Sequence, residues 1–182
     1  DTLAYHRDAW DFRNLLLVEQ PNHDYAHTIM RQFLFDAWHF EMLSALRDSS
    51  DAEIAAIAQK SVKEVTYHLD RSSDIVIALG DGTEESHTRM QGALAHMWPY
   101  VGEMFTSDAV DEAMGDAAVD PVALRPAFDA RLAQVLSEAT LTAPDSDFAH
   151  TGGKNGKRHS EHLGHMLATM QSLPRSYPDA RW

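Results

Sequence analysis

The 182-residue chain contains no cysteine, which removes disulfides, thiolate metal sites and cysteine nucleophiles together and accords with a reducing cytoplasm as its expected location. It is also short of positive charge. Fifteen Lys and Arg stand against 28 Asp and Glu, a formal net charge of -13. Partners rich in phosphate require clustered cations, so nucleic acid and anionic membrane are set aside as partners. No apolar run approaches the ~20 residues needed to span a bilayer, and no signal-type apolar segment opens the chain. The sequence starts at Asp1 rather than Met, which reads as a processed product or a fragment. Internal repeats, low-complexity tracts and the βαβ rhythm of α/β proteins are all missing, and no Gly-x-Ser-x-Gly elbow is present to carry a serine nucleophile.

What remains is helical. With 44% hydrophobic residues the chain suffices for one ordinary domain with a sizeable core. The clearest helix is expected from Ser50, read as the N-cap of a Ser-Asp-Ala-Glu capping box with Glu53 reaching back, to the glycine stop at Gly80-Asp81-Gly82. At helical spacing Ile54, Ala58, Val65, Leu69, Ser72, Val76 and Leu79 share one face, with Lys60, Lys63, Tyr67, Asp70 and Asp74 opposite. A preceding helix, roughly 24 to 47, follows Pro21, takes Asn22 or Asp24 as its cap, and turns Ile29, Phe33, Ala37, Phe40 and Leu43 inward. Residues 84 to 105 predict another helix, which Pro99 kinks or ends because its ring removes a backbone donor. Further helices are expected from Asp120-Pro121 to about Glu138 and from Ser160 to Leu173. Long amphipathic helices joined by short loops specify an all-α helical bundle.

Within that bundle the stretch KEVTYHL, residues 63 to 69, resembles a di-iron helix without matching it. Di-iron carboxylate bundles use Glu-x-x-His, and here Tyr67 occupies the histidine position while His68 stands four residues after Glu64. The helical phase puts His68 inside the apolar arc and Glu64 at its edge, so both are expected to look inward, with Tyr67 turned toward the polar side. Asp36 falls inside the apolar face of the preceding helix. A buried carboxylate must be paired, hydrogen-bonded or protonated. Asp36, Glu64 and His68 are therefore candidates for a buried polar network that neutralises itself, or alternatively for ligands of a working metal site, since an i, i+4 pair can chelate.

Longer blocks carry a resemblance. NLLLVEQPN (14 to 22), RQFLFDAWHF (31 to 40), KEVTYHL (63 to 69), LGDGT (79 to 83), EATLTAP (138 to 144) and TGGKNGKRHSEHLGHMLATMQSLPR (151 to 175), with Trp182 at the end, resemble the structural C subunits of the ring 1,2-phenylacetyl-CoA epoxidases of bacterial phenylacetate degradation. The resemblance implies a single ferritin-like helical domain over 1 to 182, here without the family's N-terminal core helices. It further implies a degenerate metal site, no catalytic residue and no cofactor in this chain, and a homologous catalytic A subunit holding the di-iron centre. The complex would epoxidise the aromatic ring of phenylacetyl-CoA with O₂ and with electrons passed from NADPH through a flavin and iron–sulfur reductase. The alternative is an active ferritin-like di-metal oxidase or metal store using Asp36, Glu64 and His68. Two features depart from the pattern: Pro99 interrupts a helix expected to be continuous, and His23, His27, His87, His96 and His165 match no family motif, which leaves metal binding by these extra histidines open.

The segment 150 to 182, a glycine-rich loop, a last helix and a tail, differs in charge. After His150 there are five Lys or Arg and two acids, against 10 and 26 before it. Gly152, Gly153 and Gly156 permit positive φ and close approach to another surface. Lys154, Lys157, Arg158 and His159 are expected to meet a partner, with Trp182 as an anchor on a neighbouring chain. The alternative is a solvated loop between helices. Met90, Met97, Met104 and Met114, like Trp10, Trp38 and Trp98, are expected to pack rather than to serve a cofactor.

Overall fold

The computed structural model describes residues 2–180, which form helices, turns and connecting segments without a strand. In chain order the α-helices are α1 (Thr2–Tyr5), α2 (Tyr25–Leu46), α3 (Ala52–Gly80), α4 (Glu84–Met97), α5 (Ala109–Met114), α6 (Arg125–Glu138) and α7 (Glu161–Ser176). No described helix is long and apolar enough to cross a membrane. The bundle is built on the antiparallel pair α2 and α3, with α4 and α6 packed across it. Phe33, Met30 and Leu34 of α2, Val76 of α3, Met90, Leu94 and Met97 of α4 and Phe128 of α6 are completely buried there. Burying one such large side chain stabilises the fold by about 2–3 kcal/mol relative to leaving it in water. The tryptophans at the bundle's edge keep their indole N–H groups paired, Trp38 donating to the Met104 carbonyl at 3.2 Å and Trp98 to that of Ser146 at 3.1 Å.

Helix ends follow local chemistry. The carboxylate of Asp24 accepts from the His27 backbone N–H at 3.0 Å, which selects Asp24 over Asn22 as the cap of α2. The cap of α3 is Asp51, accepting from Glu53 and Ile54 at 2.9 and 3.1 Å, so the expected Ser50 capping box is corrected by one residue. Asp and Ser cap about equally well, and with both available the backbone turn places the Asp51 oxygen over the free donors. Helix α3 runs to Gly80, where a Cβ would strike the Ala139 carbonyl; only glycine lets α3 and the end of α6 approach this closely. Thr83 and Ser86 then form the reciprocal capping box of α4. The helix expected over 84 to 105 stops at Met97, and the chain continues past Pro99 as two short 3₁₀ turns, Trp98–Tyr100 and Gly102–Phe105. Pro99 occupies an early position of the first 3₁₀ turn, where no N–H is needed within the turn, and its missing donor stops the α4 ladder. Helix α7 lies against the N-terminal segment, with the Gln171 amide donating to the Ala4 and Arg7 carbonyls at 2.9 Å each.

Candidate functional site

Asp36 is 1% exposed, in the apolar face of α2. One carboxylate oxygen accepts from the Gln32 amide at 2.6 Å, and the other from the Ser72 hydroxyl of α3 at 2.9 Å. Burial pushes its pKa above the ordinary value, opposed by the Ser72 and Gln32 hydrogen bonds and then by the nearby His68 and His39 imidazoles. The same burial pushes His39 down, with Asp36 acting against it. An open cleft of about 270 Å³, bordered by Gln32, Asp36, Tyr67, His68 and Ser72, lies between the carboxylate and solvent.

The expectation that Glu64 and His68 look inward is corrected. Both are exposed, and they meet each other on the surface of α3, His68 Nε2 lying 3.3 Å from the Glu64 carboxylate. The reason is the width of the buried stripe. On α3 only Ala58, Val65, Leu69, Ser72, Val76 and Gly80 are buried, a narrow seam, so positions well round from Val65 stand in water. Tyr67 projects outward, 65% exposed. His68 reaches the mouth of the Asp36 cleft, but Glu64 does not border it. With both Asp36 oxygens engaged by neutral donors and Glu64 turned away, these residues do not fit a di-iron centre, which requires convergent carboxylates and imidazoles from four helices.

The glycine-rich loop is folded back onto the chain. Buried Glu103 accepts from the backbone N–H groups of Gly152, Gly153 and Lys154 at 2.8, 2.7 and 3.2 Å on one oxygen and from Leu16 at 2.8 Å on the other. Gly152 and Gly156 have positive φ, and a Cβ on Gly153 would crowd the Asn14 carbonyl at 2.5 Å. A second buried acid, Glu19, accepts from His159 Nδ1 at 2.7 Å, the Ser160 N–H at 2.6 Å and the Asn14 amide at 2.8 Å. His159 is thus tied within the chain rather than offered to a partner. Lys154 is likewise spent internally, on Asp111 at 2.5 Å and the Thr106 carbonyl at 2.8 Å. Lys157 and Arg158 remain exposed and make no ion pair among the described residues. Trp182 lies outside the described residues.

Sequence reasoning missed Glu103 and Glu19 as organising groups. The available signal was an acid inside each of two apolar runs, LLLVEQ and VGEMF, which demands a buried partner. Those runs and the loop TGGKNGKRHS, distant in sequence, are one cluster in space.

A family model described as phenylacetic acid catabolic protein matches residues 1–182. The C subunit of 1,2-phenylacetyl-CoA epoxidase from Escherichia coli (strain K12) is 46% identical over 184 residues, an alignment that takes in all of this chain and 74% of that protein. The helical bundle is of the ferritin-like kind that the resemblance implied. Matched from end to end by that model, and sharing nearly half its residues with a curated relative, the chain belongs to the phenylacetic acid catabolic protein family.

Proposed function

We propose that this chain is the supporting, non-catalytic subunit of a multicomponent oxygenase that epoxidises the ring of phenylacetyl-CoA, the di-iron centre residing in a homologous A subunit supplied with electrons from NADPH by a reductase. The observation that carries the reading is the 46% identity, over the whole chain, to the C subunit of such an epoxidase. The surroundings of Asp36 support the non-catalytic part: its oxygens are held by Ser72 and Gln32, and Glu64 faces water. Asp36 and Glu64 thus make no carboxylate pair with each other.

The test is reconstitution. Ring epoxidation should require both this chain and the A subunit, and this chain alone should turn over no substrate. Stoichiometric iron in the isolated chain that disappears on Asp36→Ala would overturn the non-catalytic reading. Lys157 and Arg158, the two exposed cations of the loop, are assigned to the partner surface. The double reversal Lys157→Glu and Arg158→Glu should weaken association with the A subunit about tenfold or more, mainly through slower association at low salt. Unchanged affinity would remove the loop from the interface.

A further inference from the structure

Three histidines that the phenylacetate reading leaves unused meet at one corner of the bundle. His23 precedes α2, His27 lies in its first turn, and His96 lies in the last turn of α4. Their ring centres are 5.1, 5.3 and 5.4 Å apart, every pair near edge-to-face. A tetrahedral ion with metal–nitrogen bonds of about 2.0–2.1 Å holds imidazole centres roughly 5 Å from one another. The spacing is therefore that of a three-imidazole site. His23 and His96 are exposed and His27 half-buried, so an ion from solvent reaches all three.

Two further observations point the same way. His27 Nδ1 lies 2.6 Å from the Asp24 carboxylate, which fixes Nδ1 as the protonated nitrogen and leaves Nε2 with its lone pair free, the arrangement that orients metal-binding histidines. The other Asp24 oxygen is engaged by Arg89 at 3.3 Å. His23 holds φ at 40°, a left-handed conformation that a β-carbon disfavours and that clusters at ligand sites. As they stand, no three donor side chains among the described residues are arranged to hold an ion. The terminal torsion of histidine is broad, however, and His23 and His96 are exposed, so binding is expected to turn their rings toward a shared ion.

We propose that His23, His27 and His96 bind one divalent transition ion of the Zn²⁺ type, with the fourth position open to water, and so clamp the start of α2 to the end of α4. Zn²⁺ titrated calorimetrically into the full chain at neutral pH should bind one to one, and Co²⁺ should give the visible absorption of a four-coordinate ion. His96→Gln and His27→Gln should each weaken binding at least tenfold, whereas His87→Gln and His165→Gln, outside the cluster, should not. His23→Gly separates ligation from folding: glycine suits the positive φ, so the metal-free variant should melt at or above the parent's temperature while losing the Zn²⁺-induced rise in melting temperature. Absence of saturable binding, or binding that survives His96→Gln, overturns the proposal. So does a Zn²⁺-induced rise in melting temperature that persists in His23→Gly.

Discussion

Asp36 is the residue at which charge and burial conflict most openly. Its raised pKa means that the folded chain keeps the proton to higher pH than the unfolded chain does. As pH rises above about 4 the unfolded chain ionises first, so this carboxyl lowers stability progressively until the folded form has ionised as well. Asp36→Asn removes that dependence. The melting temperature of the Asn variant minus that of the parent should therefore grow as pH rises above about 4, and a difference independent of pH would show that burial does not control the group. Ser72→Ala leaves one carboxylate oxygen buried without a donor and should cost about 1–3 kcal/mol in chemical denaturation at neutral pH. That Asp36 must find a buried partner was legible, because it is an acid standing in the apolar stripe of its helix. The hidden part was that Ser72, an uncharged donor, satisfies Asp36 while the more conspicuous Glu64 and His68 satisfy each other in water.

Among the elements, α3 shows how far periodicity reaches. Its seam residues were readable from spacing, but the breadth of the seam depends on which neighbours cover the helix, and spacing carries no record of that. Hence Val65 and Leu69 were placed correctly and His68, next to Leu69, was not. Helix starts were ambiguous wherever two capping residues adjoin. Asp51→Ala should cost about 1 kcal/mol and Ser50→Ala well under half of that; the reverse ranking in urea denaturation would restore the Ser50 cap. Helix α5 and the short turns around residues 9 to 19 escaped sequence reading because they span too few residues to show a period. Pro99 signalled a break whose form, two 3₁₀ turns rather than a kink, depended on Glu103, Met104 and Phe105 being drawn into the interior.

At the scale of the molecule, two buried glutamates organise both ends of the chain. Glu103 gathers backbone donors from residue 16 and from residues 152 to 154, and Glu19 gathers His159 and Ser160. Glu103→Gln replaces an acceptor oxygen by an amide that faces N–H donors. It should destabilise the docked loop by about 3 kcal/mol, seen as faster amide exchange at Gly153 and quicker proteolysis near Lys157, with α2 and α3 unaffected. Equal exchange in parent and variant would mean that the loop is held by other contacts. The timing of synthesis gives this arrangement a further meaning. Translation delivers about 5–20 residues per second, so Glu103 emerges several seconds before the glycines that will neutralise it. During that interval Leu16 is the one of its four backbone donors already synthesised, and the oxygen that the loop will cover is left to water. Completion of the fold is thereby made to wait for the loop's arrival.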